Sequence, residues 1–232
     1  MKTIISDKNK VSETAAQHIK ALLEKKPDAV IAFSAGDSMT GLFTLLCDMH
    51  AKNEIDFSLA RILAVTEFIS APEEKTCRYK LTRELLDKLN IPQEHCFFPS
   101  GDAPEDYDAL IASLGGLDFA VIGIGHNGHI GYNEPGTQFY TKTRVQRLAP
   151  ATRRQLAQCF SGEENVPECA VTMGIKTLTD ARDLIVMAFG SDKSGAVFQM
   201  LYARDDSVIP AAFLQIPLNV LVLVDEDAAS ML

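Results

Sequence analysis

The chain has 232 residues, of which 47% are apolar, and it carries 22 basic against 31 acidic side chains, for a formal net charge of −9. This apolar fraction is enough for one sizeable core, whereas the acidic balance disfavours nucleic acid and anionic membranes as partners. An anionic small molecule would need a local positive site, because the field of the whole protein repels it.

Five cysteines are scattered along the chain without a C-x-x-C pair, which argues against a disulfide framework and a structural zinc site. The first residues lack the apolar segment of a secretory signal peptide. No run approaches the roughly 18 apolar residues that a membrane-spanning helix needs. We therefore expect a soluble, cytoplasmic protein.

The apolar residues fall into short, near-continuous runs, which is typical of strands that are buried on both faces of a parallel sheet. These predicted strands are 29–33, 61–65, 117–123, 183–189 and 219–224. Stretches with helical spacing lie among them, at 11–26, 39–52, 77–89, 104–114 and 193–203. The alternation predicts an α/β fold, with a doubly wound, mostly parallel sheet flanked by helices, in one domain over residues 1–232.

Ligands of open α/β sheets bind beyond the carboxyl ends of the strands, so the residues after each predicted strand are candidates for a site. The first such loop consists of Ser34, Ala35, Gly36, Asp37 and Ser38. Its backbone N–H groups, at the start of a helix, suit an anion such as a phosphate, provided that the Asp37 carboxylate points away. The alternative is an N-cap turn in which Asp37 or Ser38 caps the helix and nothing binds.

A later junction between strand and helix, at residues 190–193, ends in Lys193. A lysine near the start of a helix opposes the helix dipole, and a bound phosphate would compensate for this. Because a lone lysine is usually a solvated surface side chain, the signal is weak by itself.

Residues 123–136 read Gly-Ile-Gly-His-Asn-Gly-His-Ile-Gly-Tyr-Asn-Glu-Pro-Gly and carry the most informative pattern. They begin with the G-x-G-x-x-G of dinucleotide-binding loops, but they lie in mid-chain and no acidic residue follows about 20 positions later. His126, His129 and Glu134 are candidate metal ligands, yet the glycines and Pro135 prevent the helix that would align them. A histidine with a carboxylate five residues later, in a glycine-rich loop, suits proton transfer near neutral pH.

Segment 123–135 resembles the signature of the glucosamine-6-phosphate deaminase/isomerase family, which is distantly similar to 6-phosphogluconolactonases. The resemblance extends through most of the chain and includes residues 34–38, 170–174 and 190–193. Glucosamine-6-phosphate deaminases usually carry Asp at the position of Asn127. Residues 115–118 and 209–213 also resemble the galactosamine-6-phosphate isomerases/deaminases of this family, and with Asn127 they make this branch the one that the chain resembles most.

The resemblance implies conversion of an amino-sugar 6-phosphate to a ketose 6-phosphate with release of ammonia, with galactosamine 6-phosphate favoured over glucosamine 6-phosphate. It implies no metal and no organic cofactor. The partner would be a small-molecule sugar phosphate, and a homo-oligomer stays open. The site residues implied are His129, Glu134, Glu67 and Asn127 for catalysis, and Ser34, Ala35, Gly36, Asp37, Ser38, Gly123, Gly125 and Lys193 for substrate binding.

One position departs from the family's pattern at the end of the second predicted strand. The family has Asp-Glu followed by an aromatic residue, with the Asp as the base that moves the C2 proton, whereas this chain has Thr66-Glu67-Phe68. A threonine hydroxyl is far too weakly basic for that step. Either Glu67 reaches C2 instead, or the reaction is altered or lost.

Two other functions stay open because of Thr66. One is a sugar-phosphate-binding protein that has lost catalysis. The other is a 6-phosphogluconolactonase-like hydrolase, since opening a lactone needs no base at C2, although Asn133-Glu134-Pro135 argues against it.

Overall fold

In the computed structural model, which describes residues 1–203, 209–217 and 219–232, the strands form two sheets. The strands are β1 (Lys2–Ile5), β2 (Val30–Phe33), β3 (Arg61–Ala64), β4 (Thr66–Phe68), β5 (Cys96–Phe97), β6 (Phe119–Gly123), β7 (Arg144–Arg147), β8 (Cys169–Thr172), β9 (Asp183–Ala188) and β10 (Val220–Val224). The large sheet is parallel, with the order β1-β10-β9-β6-β2-β3-β5. The small sheet is antiparallel, with the order β4-β8-β7.

Five of the helices correspond to the predicted ones but differ from them at their ends, whereas the two short helices at 150–156 and 175–179 were not predicted. They are α1 (Lys8–Lys25), α2 (Thr40–Ala51), α3 (Cys77–Leu81), α4 (Glu105–Ser113), α5 (Pro150–Leu156), α6 (Ile175–Thr179) and α7 (Ser194–Tyr202). Helix α1 begins earlier than predicted because the Asp7 carboxylate accepts hydrogen bonds from the N–H groups of Asn9 and Lys10 at 3.0 Å. After α3 the chain continues as a π-helical turn, Thr82–Leu86.

The predicted fold class is confirmed. The packing of β2 shows why each of its residues is apolar. Val30 and Ala32 belong to the apolar cluster on one side of the sheet, and Ile31 and Phe33 belong to the cluster on the other side. A central strand therefore needs apolar residues at every position. The edge strands β1 and β5 and the whole small sheet were not predicted, because they are short or alternately exposed and lack such runs.

The strand order places a topological switch point between β2 and β6, because the chain continues outward from β2 to β3 and in the opposite direction from β6 to β9. The loops after β2, β6 and β9 therefore open at the same edge of the sheet, which is where α/β proteins bind ligands. Directly after β3, the chain passes into the small sheet, in which Thr66 lies opposite Thr172 of β8.

Neither a membrane span nor a disulfide is found in the described part of the chain. No helix there is both long and apolar enough to cross a bilayer. All five cysteines are free thiols.

At the amino ends of the strands, opposite the ligand-binding side, the buried carboxylate of Asp118 holds the sheet together. Asp118 lies directly before β6. It accepts hydrogen bonds from the Lys26 ammonium at 2.7 Å and from the Val30 N–H at 2.8 Å, and it also pairs with the Arg182 guanidinium. Burial by itself would raise the pKa of Asp118, but these hydrogen bonds and charges outweigh it, so that the pKa is lowered. Asp118 thus joins the starts of β2, β6 and β9.

We expect Asp118→Asn to lower the free energy of unfolding by about 1–3 kcal/mol at pH 7, because it removes the charged acceptor while both cations stay half exposed. A carboxyl group whose pKa is lowered in the folded state stabilises the fold at pH values above its pKa in the unfolded chain. The loss of stability in Asp118→Asn should therefore be largest above pH 3.8 and shrink as the pH falls below this value. Urea unfolding at several pH values measures this. Asp180→Asn, in a surface pair with Lys176, is the control; an equal loss in both variants would contradict the prediction.

Candidate active site

A cavity of about 980 Å³ opens at the edge of the sheet where β2, β6 and β9 end. This size suits a small-molecule ligand. The predicted residues that line it are Ser34, Ala35, Gly36, Asp37, Ser38, Gly123, Gly125, His129 and Lys193. Asn127, Glu134 and Glu67, which were also predicted, lie outside its lining.

The His129 ring at the wall of the cavity has a defined tautomer. Its Nδ1 lies 2.6 Å from the carbonyl oxygen of Gly131, and because a carbonyl can only accept, Nδ1 carries the proton and Nε2 keeps a free lone pair. Burial lowers the pKa of His129 from its ordinary value of 6.5, and the charge of Glu134 and the Gly131 carbonyl oppose this effect only in part. At pH 7 His129 is therefore a neutral imidazole with one basic nitrogen.

Asn127 connects Glu134 to His129. Its amide N–H donates to Glu134 Oε2 at 2.8 Å, and its carbonyl oxygen accepts from the His129 backbone N–H at 3.2 Å. The other Glu134 oxygen accepts from the Ala149 N–H at 3.0 Å, and the carboxylate is buried. The predicted support of the imidazole by Glu134 is thus indirect, through Asn127 and through the charge of the carboxylate.

Gly125 is required by the close approach of the His129 ring. A Cβ atom at position 125 would lie 2.0 Å from His129 Cδ2 and 2.1 Å from Nε2. Any side chain at this position would therefore displace the imidazole.

The completely buried Asn133 fixes the later part of the segment at residues 123–136. Its amide donates to the carbonyl oxygens of Ile130 at 2.9 Å and Met173 at 2.8 Å, and its own oxygen accepts from Arg144 Nη1 at 2.8 Å. A buried polar side chain with all these partners satisfied fixes a loop in one geometry. Asn133 thereby ties the glycine-histidine segment to the small sheet.

Lys193 extends along the cavity, and its side chain is only 15% exposed. Burial lowers its pKa, an effect that the charges of Asp192 and Asp37 oppose. Asp192 lies 3.7 Å from the Lys193 ammonium and 2.5 Å from Nε2 of His126. The described residues contain no group of three or more histidine, cysteine or acidic side chains that would hold a metal ion.

Thr66 lines the cavity, but neither it nor Glu67 presents a base there. The Thr66 hydroxyl is buried and contacts the Cys77 thiol at 3.4 Å, and burial raises the pKa of Cys77 to about 12. The Glu67 carboxylate instead accepts hydrogen bonds from the N–H groups of Phe68, Cys77 and Arg78 at 2.8, 2.9 and 2.9 Å. The predicted alternative in which Glu67 reaches C2 does not match this geometry, because helix α3 engages the carboxylate.

Several cavity residues were missed by the sequence reasoning. Lys80 and Arg83, three positions apart on one helical face, contribute positive charge. Their spacing is a weak signal, since basic residues at this interval are usual on solvated helices. Phe68, Tyr132 and Phe160 form an aromatic wall with ring centroids 5.2–5.4 Å apart; the three lie far apart in sequence, so no local pattern connects them.

Comparison with known proteins agrees with this architecture. Residues 7–222 match the family described as glucosamine-6-phosphate isomerases/6-phosphogluconolactonase. A glucosamine-6-phosphate deaminase of Geobacillus sp. (strain WCH70) is 35% identical over 230 residues, which cover 95% of this chain and 91% of that protein. One of Clostridium botulinum (strain Eklund 17B / Type B) is 31% identical and covers 100% of this chain and 97% of that protein.

Two solved structures superpose on this chain over nearly their whole length. A monomeric glucosamine-6-phosphate deaminase superposes with a TM-score of 0.96 at 29% identity, over 100% of both chains. A 6-phosphogluconolactonase of Trypanosoma brucei superposes with a TM-score of 0.81 at 20% identity, over 100% of this chain and 98% of that one. The second likeness is one of fold alone.

We expect Gly125→Ala to reduce any activity of this cavity at least about 100-fold, because the new methyl group displaces the His129 imidazole from its position. Initial rates together with the melting temperature measure this. Gly195→Ala is the matched control: position 195 lies in α7 with open space around it, so this variant should keep the activity. Wild-type rates in a folded Gly125→Ala variant would contradict the assignment.

Proposed function

The chain belongs to the family of glucosamine-6-phosphate isomerases and 6-phosphogluconolactonases, and we propose on this basis that it is an amino-sugar-6-phosphate isomerase/deaminase. It would convert the amino sugar phosphate and water to a ketose 6-phosphate and ammonia. The observation that carries the proposal is the neutral His129 imidazole in a cavity that also holds a helix-entry loop and Lys193. The curated relatives at 31–35% identity are named deaminases, and this supports the deaminase reaction over the lactonase one.

The two ends of the cavity suit the two ends of such a substrate. The backbone N–H groups of residues 34–38 and the Lys193 ammonium would bind the phosphate, which fixes the distance of the sugar from His129. Lys193 is buried with its pKa lowered, and a bound phosphate would restore the charge balance there. The reaction moves protons and releases ammonia without a change of oxidation state overall, so we propose that it needs no metal or organic cofactor.

We assign the proton transfers to His129. Its free Nε2 would first accept the proton of the anomeric hydroxyl and deliver it to the ring oxygen, so that the bond between C1 and the ring oxygen breaks and the open-chain aldehyde forms. Since Thr66 is not basic and Glu67 is held by α3, we propose that His129 also carries the C2 proton to C1. Asn127 would hold the backbone at His129, the Glu134 carboxylate would stabilise the imidazolium that forms when Nε2 accepts a proton, and Glu67 would cap α3.

The preference for the galactosamine epimer stays a prediction. It was based on Asn127 and on the resemblances at 115–118 and 209–213. In the structure Asn127 bonds to Glu134 and to the His129 backbone rather than lining the cavity. A side chain outside the cavity lining would not contact the C4 hydroxyl that distinguishes the epimers. The relatives favour glucosamine 6-phosphate, so both sugars belong in the assay.

Purified protein should release ammonia and ketose 6-phosphate from glucosamine 6-phosphate or galactosamine 6-phosphate, and His129→Ala should lower kcat about 100-fold or more. His18→Ala, at an exposed position of α1, should behave as wild type. Folded wild-type protein that turns over neither sugar would refute the proposal. In that case a thermal upshift with the sugar phosphates would indicate a binding protein, and turnover of 6-phosphogluconolactone a hydrolase.

The pH dependence of kcat/KM tests the role of His129 separately. The reaction needs the neutral imidazole, so kcat/KM should be at its maximum above the pKa of His129. It should fall as the pH drops through this pKa, with a midpoint below pH 6.5. Glu134→Gln should shift this midpoint further down, because the Glu134 charge raises the pKa of His129. Glu168→Gln, at an exposed surface pair, should leave it in place. A midpoint above 6.5 would argue against His129 as the base.

A further inference from the structure

We propose that Lys80 is a second cationic ligand for the phosphate end of the substrate, and that Asp37 holds it in place until the phosphate binds. This inference rests on the proposed function for the identity of the substrate. It requires, however, only that the cavity binds a phosphate group. It assigns a role to two charged residues that the reaction scheme leaves unused.

The contact between the two side chains joins two walls of the cavity. The Lys80 ammonium of α3 lies 2.5 Å from Oδ1 of Asp37, in the loop after β2, and both residues line the cavity. The Lys80 side chain is 27% exposed, whereas that of Asp37 is 84% exposed. The lysine is thus drawn into the protein toward the loop, while the carboxylate that holds it stays accessible to solvent.

The same carboxylate acts on the other lysine of the cavity. Its charge raises the pKa of Lys193 against the lowering effect of burial. Asp37 therefore interacts with two ammonium groups that come from different elements, α3 and the turn before α7. An acidic side chain at this position in a phosphate-binding loop is otherwise unfavourable, because its charge would repel the ligand.

The charges of the ligand account for this arrangement. A phosphate monoester carries about −1.5 to −2 charges at pH 7, which exceeds what Lys193 alone neutralises. An ion pair with a largely exposed partner contributes little to stability, and the Asp37 carboxylate is largely exposed, so the Lys80–Asp37 pair exchanges at little cost. A dianionic phosphate offers Lys80 a stronger charge-assisted acceptor than one carboxylate does. Exchange leaves Asp37 free to turn to solvent.

A purely structural role for the pair predicts a different result. If the contact only tethered the loop at residues 34–38 to α3, removing either partner would loosen the loop and weaken phosphate binding alike. If Asp37 competes with phosphate for Lys80, the two substitutions act in opposite directions. The sign of the effect therefore separates the two roles.

The test is the dissociation constant of inorganic phosphate, measured by calorimetry in a phosphate-free buffer with the whole chain. We expect Lys80→Met to weaken binding on the order of tenfold and Asp37→Asn, which keeps the size of the side chain but removes its charge, to strengthen it about threefold. With the sugar phosphate, Lys80→Met should raise KM by a similar factor and leave kcat within about twofold, because the phosphate lies away from the reacting atoms.

Lys88→Met is the matched control, since Lys88 is exposed, follows the same helical segment and does not line the cavity. It should leave both constants unchanged. Weaker phosphate binding in Asp37→Asn, unchanged binding in Lys80→Met, or no phosphate binding by the wild type would each overturn the inference. Turnover by the wild type is scored separately, so a failure of the proposed reaction is distinguishable from a failure of this ion-pair exchange.

Discussion

The carboxyl ends of β2, β6 and β9 lie side by side in the parallel sheet, and the candidate site depends on this alignment. Because the order of the strands reverses direction between β2 and β6, the loops on either side diverge and leave a crevice between them. The loop at residues 34–38, the His129 segment and the Lys193 turn each follow one of these strands. No single loop forms the site, and the register of the strands sets the distances among its groups.

A second layer of contacts converts this alignment into defined chemistry. The Gly131 carbonyl selects the Nδ1–H tautomer of His129, and the absence of a side chain at Gly125 lets the ring lie against the backbone. Asn133 then anchors the segment to the small sheet. These contacts are buried and directional, so they fix the imidazole more firmly than packing alone would. The small sheet, although it has no counterpart in the doubly wound pattern, completes the wall of the cavity.

The electrostatics of the cavity resolve an apparent conflict with the overall charge. A chain with a net charge of −9 repels anions at long range. Within the cavity, however, Lys193, Lys80 and Arg83 supply local positive charge. The nearby carboxylates of Asp37 and Asp192 pair with lysines. A local site of this kind is what the composition alone required of any anionic ligand.

The sequence by itself determined the fold class, the central strands and three of the loops that line the cavity, because buried parallel strands require unbroken apolar runs and the site lies at their carboxyl ends. It also singled out His129 and Lys193. Only the tertiary structure decided how these residues cooperate. Glu134 acts on His129 through Asn127. The Glu67 carboxylate points to α3, because the chain passes from β3 into the small sheet at this position and the direction of the side chain depends on that change. Only the tertiary structure also placed Lys80 at the cavity. Its partner Asp37 lies 43 positions away in sequence, so no local pattern connects the two residues.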